Sequence, residues 1–494
     1  MKKIAAKIFA KYINWKSKSW INNPIRAQDK IFKSLINNAV KTRFGKDHDF
    51  SSIINYDDYK SSVSINDYEQ IKPYVDQIIR GDKDVLWPGR PIYFAKTSGT
   101  TSGAKYIPIT KESMPSHINS ARDAILNYIY QTGNVDFVTG KQIFIQGSPI
   151  LDNLNGISIG RLSGIVAHYV PSYLQNNRMP SWKTNCIEDW EEKVDEIVNE
   201  TIDQNMTVIG GIPSWVQMYF EKIISKTDNK VGKQFSRFSL FIYGGVNFEP
   251  YKSLFQSLIG RMIDSIELFP ASEGFFAYQD RFPSEGLLLL VDNGIFYEFV
   301  EADKFFDKNH DRISLKDVKL NTNYVLILSS NAGLWSYNIG DTVSFVSIQP
   351  YRILVTGRIK HFISAFGEHV IGKEVETAIK SIINETSIEV REFTVAPQVK
   401  PKSGLPFHEW FIDFKTPPLN MNKFSKSLDI EMRKQNIYYD DLIKGKVLQN
   451  LVVSIVESHG FENYMKKIGK LGGQNKVPRL SNDRKIADNL KLKN

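Results

Sequence analysis

From about residue 90 the chain is punctuated by short apolar runs that close on Gly, Pro or Asn: PIYFAKTSG, KQIFIQGSP, MTVIGGIPSW, FSLFIYGGVNF and DSIELFPASEG. Apolar runs of this length, bounded by turn formers, read as buried strands. Amphipathic stretches lie between them, over 186–203 and 215–226. That alternation predicts an α/β architecture with parallel or mixed sheets. In such sheets a ligand site opens beyond the carboxyl ends of the strands, so the residues that close each run are the ones to watch.

The segments on either side differ in style. Residues 24–80 read as several short helices, with Ile31, Leu35, Ala39 and Val40 on one face. Near 323, YVLILSS, TVSFVSI and RILVTGRI alternate apolar and polar residues, as strands of a smaller antiparallel or barrel-like region would. After TGRIKHF come a helix over 373–383, two strands around PQVKPKSGLPFHEW, another helix and the strand LQNLVVSIVES. The expected organisation is a large N-terminal domain over 1–356, a hinge at 357–361 built on the charged GRIK, and a smaller α+β domain over 362–494. The N-terminal domain would hold mixed β-sheets flanked by helices, together with the barrel-like region.

Composition narrows the function classes. With 42% hydrophobic and 24% charged residues the chain can fill a large core, which excludes a disordered protein. No stretch approaches the ~20 apolar residues of a membrane-spanning helix, and even LLLLV at 287–291 is short. A single cysteine, Cys186, forms neither an internal disulfide nor a cysteine-based zinc site. Lys7 and Lys11 interrupt the apolar core that a signal peptide requires, so the cytoplasm is the expected compartment. Basic residues outnumber acids nine to one in 1–34 and nine to two in 465–494, leaving the body between them net acidic. A protein that tracks phosphate backbones spreads its cations over a groove, so nucleic acid is not the expected partner. Ile4, Ile8, Tyr12 and Trp15 recur at helical spacing, and the basic first helix is expected to dock through them onto the protein's own core, a membrane-surface role being the alternative.

Three segments can carry chemistry. Lys96 to Lys105 (KTSGTTSGAK) holds two glycines and five hydroxyl residues, which leaves the backbone free to curl around a phosphate or simply to form a surface loop. It is not the GxxxxGK[ST] loop, because Ala104 separates Gly103 from Lys105 and Tyr106 follows. Phe269-Pro-Ala-Ser-Glu273-Gly follows the strand DSIEL, so Glu273 stands where a strand ends, either as an oxygen ligand for Mg²⁺ or as a surface acid. In Trp335-Ser-Tyr-Asn-Ile-Gly-Asp341 an acid follows a glycine turn, where it can accept hydrogen bonds from two ribose hydroxyls or merely shape the turn. HExxH, GxSxG, GxGxxG after a strand and metal-spaced His/Cys clusters are all missing, which disfavours hydrolase, zinc-enzyme and Rossmann readings.

Taken in order, SGTTSGAK, PASEG, YNIGD, TGRIK-HFISAFGEHV and GGQNKVPRL closely resemble the acyl-acid amido synthetases of the auxin-responsive Gretchen Hagen family, within the adenylate-forming superfamily. FGKDHDF, VLWPGRPIYF, IPITKES and GIPSW extend the resemblance nearly end to end. It implies a large N-terminal domain, a smaller mobile C-terminal domain, and ATP- and Mg²⁺-dependent activation of a small carboxylic acid for transfer to an amine, typically an amino acid. An acyl-CoA or acyl-carrier ligase, and a nucleotide-binding protein without turnover, are the alternatives. Residue by residue, the resemblance implies that Ser98, Gly99, Thr100, Thr101, Ser102, Gly103 and Lys105 hold the ATP phosphates. Glu273 would bind Mg²⁺, Ala271 and Ser272 would lie beside the nucleotide, and Gly244, Gly245 and Phe269 would meet adenine. Asp341 would bind the ribose. Arg358 and Lys360 match the hinge, and Lys476 the mobile lysine that reaches the α-phosphate. Phe269 stands where Tyr is common in the family, and Asn338 where Arg is, which removes a hydroxyl and a cation.

Overall fold

The computed structural model describes residues 2–97, 105–170, 175–245, 248, 252–307, 310–359, 362–363, 370–384, 387–444, 447–472, 476–481 and 484–493. Along the chain the strands are β1 (Tyr93–Thr97), β2 (Lys105–Ile109), β3 (Lys141–Ile145), β4 (Asp152–Leu154), β5 (Ile157–Gly160), β6 (Arg178–Met179) and β7 (Met206–Gly211). They continue with β8 (Leu240–Gly244), β9 (Asp264–Ala271), β10 (Gly274–Gln279), β11 (Leu287–Leu289), β12 (Ile295–Glu301), β13 (Ile313–Ser314) and β14 (Asn323–Ser330). The last are β15 (Tyr337–Ile348), β16 (Tyr351–Arg358), β17 (Phe362–Ile363), β18 (Val370–Ile371), β19 (Glu389–Gln398), β20 (Phe407–Thr416) and β21 (Val452–Ile455).

Among the described residues, twelve strands share one sheet in the order β13-β12-β14-β15-β16-β11-β10-β9-β8-β7-β3-β6. Pairing is parallel from β6 through β3, β7 and β8 to β9, and reverses where β9 turns back into β10. The run KQIFI, MTVIGG, LFIYG and DSIELFPA is therefore the parallel half that the apolar runs predict. The strands over 323–358 are a different matter. Of the two expected forms, antiparallel or barrel-like, the pairing of β12 with β14 and of β11 with β16 is antiparallel, and β16 joins these strands to the same sheet and not to a barrel-like region of their own. β14 is buried on both faces from Tyr324 to Ser330, and nothing in such a run names the neighbouring strand.

The chain divides into two compact units. One comprises 1–246, 260–339 and 343–354; the other comprises 247–259, 340–342 and 355–494. In the first, every side chain of β10 is buried, and Phe44, Phe50 and Trp335 meet in an aromatic cluster with Trp335 fully covered. The Trp335 indole donates to the Leu86 carbonyl at 3.0 Å, which satisfies its buried polar atom.

The first helix, α1 (Lys2–Asn22), lies on the helix Met114–Thr132, but by the face opposite to the expected one. Ala10 and Ile13 are buried, with Ala6 and Ile21 packed beside them. Ile4, Ile8, Tyr12 and Trp15 are 66%, 65%, 51% and 69% exposed. Ala6 and Ala10 sit on the inner face with Ile13, Trp20 and Ile21, while Ile4, Ile8, Tyr12 and Trp15 are left outside. No helix among the described residues is long and apolar enough to cross a membrane.

In the second unit β19, β20 and β21 form a sheet, antiparallel then parallel, whose core includes Val375, Ile379, Phe393, Trp410 and Leu428. Its helices Gly372–Asn384 and Met421–Gln435 are tied by Glu374. Glu374 sits in the first turn of the former, where its Oε2 accepts from the Ile371 amide at 2.9 Å and from Asn436 Nδ2 at 3.0 Å. Burial outweighs these donors and pushes its carboxyl up from 4.5 to about 7. A raised folded-state value means that the unfolded chain releases its proton first. The stability that this carboxyl contributes is therefore complete below pH 4.5 and is lost as pH rises towards about 7. The loss expected is at most about 3 kcal/mol. Glu374→Gln keeps an oxygen for both donors and should abolish that slope, unfolding later than the parent at pH 8 but not at pH 4. Equal pH profiles of urea midpoints for the two proteins would disprove this.

Candidate functional site

Neighbouring parallel strands finish together on one edge of the sheet. Ile145 of β3 pairs with Gly211 of β7, Gly210 with Ile242 of β8, and Gly244 with Leu268 of β9, so β9 runs slightly further, to Ala271. Gly244 is needed for room: a Cβ there would stand 2.6 Å from the Leu268 carbonyl oxygen and 3.2 Å from Pro270 Cδ. Gly245 follows with φ 82, a left-handed conformation that leaves the strand direction sharply. Both glycines mark the strand end that the sequence predicts.

β9 returns into β10 through Ser272 and Glu273, with Ala271 paired to Gly274. Neither turn residue has a positive φ. Ser272 is buried and Glu273 half-buried, so the motif PASEG is a tight hairpin that carries its carboxylate at the strand-end edge. Phe269 points the other way in energetic terms: it is 6% exposed and packs edge-on to Phe276 at 5.1 Å. Ala271 lies against the same core cluster. Gly244, Gly245, Phe269, Ala271, Ser272 and Glu273 thus form one contiguous stretch of sheet.

Lys105 opens β2 opposite Thr97, on a separate four-stranded sheet in the order β2-β1-β5-β4. Its ammonium lies 5.6 Å from the centroid of the Tyr68 ring, and the Tyr68 hydroxyl accepts from the Tyr106 amide at 2.9 Å. Burial pushes the Tyr68 phenol up, keeping it neutral. Ser98, Gly99, Thr100, Thr101, Ser102 and Gly103 lie outside the described residues.

Asp341, Arg358 and Lys476 belong to the second unit. Asp341 does not follow a turn as the sequence suggested; it sits inside the twelve-residue β15. Gly340 takes φ 85 within that strand, an irregularity that a sequence shows only as a glycine. The Gly340 carbonyl accepts from the Ile359 amide at 2.7 Å, and Thr356 Oγ1 donates to Thr342 Oγ1 at 2.8 Å, so the segment leading out of β16 is pinned beside Asp341. Arg358 is the last residue of β16, and Lys360 lies outside the described residues. Lys476 is exposed, three positions before Arg479, which pairs with Glu376 at 3.1 Å and with Glu392.

A buried polar network behind the WSYNIGD motif was not legible in the sequence. Glu298 of β12 is fully buried and pairs with Arg312 at 3.1 Å. Ser336, held at φ 40, donates its hydroxyl proton to Glu298 Oε2 at 2.8 Å and lies 3.0 Å from the Tyr59 hydroxyl, while its amide donates to Ser329 Oγ at 2.9 Å. Arg312 Nη2 reaches the Val63 carbonyl at 2.8 Å. The only available signal was an acid inside the apolar run IFYEFV.

Three family models match in order. The GH3 family N-terminal domain covers residues 16–146, the central domain 288–358 and the C-terminal domain 373–485. The chain belongs to the GH3 family. Among curated GH3 relatives, indole-3-acetic acid-amido synthetase GH3.3 of Arabidopsis thaliana is 19% identical over 92% of this chain and 88% of its own. Jasmonoyl-L-amino acid synthetase JAR4 of Nicotiana attenuata is 22% identical over 70% and 72%. The solved structure of GH3.15 acyl acid amido synthetase superposes with TM-score 0.80 at 13% identity, covering 97% of this chain and 95% of that one. A 2-hydroxyisobutyryl-CoA ligase does so with TM-score 0.61 at 10% identity, covering 93% and 89%. These structural likenesses establish a GH3 fold of large sheet domain and smaller C-terminal domain. Among the described residues no group of three or more His, Cys, Asp or Glu gathers as a metal cage. A single carboxylate such as that of Glu273 is enough for Mg²⁺, which needs only one or two when phosphates and waters complete its shell.

Proposed function

We propose that this GH3 chain is an ATP-dependent acyl-acid amido synthetase that joins a small carboxylic acid to an amine, an amino acid, in the cytoplasm. The observation that carries the reading is the alignment of parallel strand ends at Ile145, Gly211 and Gly244 with the Glu273 hairpin just beyond them, in a chain matched by all three GH3 models. Curated relatives are named for amide formation with indole-3-acetic acid and with jasmonoyl groups.

A carboxylate resists amines because oxide would have to leave. The substrate carboxylate therefore attacks the α-phosphorus of the co-substrate ATP, pyrophosphate departs, and the acyl adenylate that results yields an amide when the amine displaces AMP. Ser98 to Gly103 would bind phosphate oxygens through amides and hydroxyls, and Lys105 would add positive charge. Glu273 would hold Mg²⁺, which offsets phosphate charge. Gly244 and Gly245 would leave space for the base with Phe269, Ala271 and Ser272 beneath it, and Asp341 would accept from the ribose hydroxyls. Lys476 is proposed to reach the α-phosphate after rotation about 357–361, a hinge bearing Arg358 and Lys360.

Carboxylic acids screened for ATP–pyrophosphate exchange, then for product with amino acids, with CoA and with hydroxylamine, test the whole reading. Exchange that requires an acid, followed by amide formation with an amino acid, is expected. Exchange followed by thioester and no amide would overturn it, as would the absence of exchange. In the same assays Lys360→Pro should impair one half-reaction more than the other, and equal losses would count against the hinge.

A further inference from the structure

The outer face of α1 is the feature that the synthetase reading does not use. At about 100° per residue, Ile4, Trp15, Ile8 and Tyr12 fall in one continuous stripe along the helix. All four are exposed by half or more, and Phe9 at 38% extends the stripe under Arg122, whose guanidinium lies 5.4 Å from its ring. Tyr12 stands between Phe9 and Trp15, with ring centroids 6.4 and 6.2 Å away. The helix is already anchored by its other face on Met114–Thr132, so this apolar surface is not waiting for the fold to cover it.

Its borders carry charge of one sign. Lys7, Lys11 and Lys18 project along one edge of the stripe and Lys16 along the other, and no acid occurs before Asp29. Lys2 and Lys3 are turned to the body, reaching Asn177 at 3.4 Å and Asp136 at 2.6 Å. Of the acids near the helix, Asp136 pairs with Lys3 and Asp123 with Arg122, and Asp292 lies close enough to Lys16 to feel its charge. A preformed helix with Trp, Tyr and Ile on one arc and lysines at its margins is the chemistry of an interfacial helix. Its apolar arc enters the boundary between headgroups and acyl chains, and its lysines meet anionic lipid. We propose that this face of α1 binds the surface of membranes bearing anionic phospholipid, holding the enzyme where apolar carboxylic acids partition.

The test uses the full chain with phosphatidylcholine vesicles that either contain or lack phosphatidylglycerol, sedimented at low and high salt. Binding to the anionic vesicles is expected to be at least about tenfold tighter than to neutral ones, and to weaken with salt. The double variant Ile8→Glu with Trp15→Glu, and separately Lys7→Gln with Lys11→Gln and Lys18→Gln, should each weaken it by about tenfold or more. All these positions are exposed, so unfolding midpoints should match the parent, and unchanged exchange activity would show an intact catalytic site. Failure to sediment with anionic vesicles would overturn the proposal, as would undiminished binding by the variants. A parent that is dimeric in solution and becomes monomeric in Ile8→Glu would also overturn it, by assigning the stripe to a second copy of this chain.

Discussion

Glu273→Gln is expected to lower acid-dependent ATP–pyrophosphate exchange by about a hundredfold or more, with the unfolding midpoint almost unchanged. The substitution preserves shape at the Ser272–Glu273 turn and removes only the negative charge, so the β9–β10 pairing of Ala271 with Gly274 survives. Losing one preorganised electrostatic contact in an active site commonly removes two to three orders of magnitude, about 3–4 kcal/mol of transition-state stabilisation. The defect should be partly relieved by excess Mg²⁺, because in the proposed role what is weakened is the hold on the metal. A variant that exchanges pyrophosphate at the parental rate would remove Glu273 from the site, and with it the main polar contribution of the strand-end edge. A large fall in stability would instead give it a structural role.

Glu298→Ala should destabilise the N-terminal unit by about 3–5 kcal/mol, because it leaves the Arg312 guanidinium buried without its counter-charge. Glu298 has no exposure and Arg312 only 6%, so water cannot replace the lost carboxylate without opening the core. Burial drives the Glu298 carboxyl above its ordinary range, and Arg312 opposes that shift. Ser336 loses its acceptor in the same step, and its unusual φ is then held by fewer bonds. Urea unfolding followed by intrinsic fluorescence measures the effect as a lower midpoint at unchanged slope. A shift below about 1 kcal/mol would mean that the pair is worth no more than an exposed one.

What a sequence can disclose here follows the range of the interaction. KQIFI, MTVIGG and LFIYG announce buried strands because each run and its closing glycine are local, and the strand-end position of Glu273 follows from those alone. The pairing of β16 with β11 is set by chain segments about sixty-five residues apart, so the barrel-like region expected from about 323 is part of the main sheet. Asp341 was read after a turn because glycine usually breaks a strand; here a positive φ is absorbed inside β15. With α1 the period was right and the face wrong. Ala6, Ala10 and Ile13 make a poorer apolar signal than Ile4, Ile8, Tyr12 and Trp15, yet it is their face, with Trp20 and Ile21, that packs on the body. Glu298 and Arg312 gave no pattern, since a buried ion pair is recognised only once both partners are in space.

The second unit is assembled from three stretches of chain, and the helix Lys252–Ile259 is grouped with it although nearly a hundred residues separate that helix from 355. No single cut can therefore release either unit whole. A chimera that exchanges the C-terminal portion of this protein for that of a homologue at residue 355 would leave that helix facing a foreign surface. Recombination between such enzymes has to transplant the helix along with the tail, which favours inheritance of the two parts as a matched set.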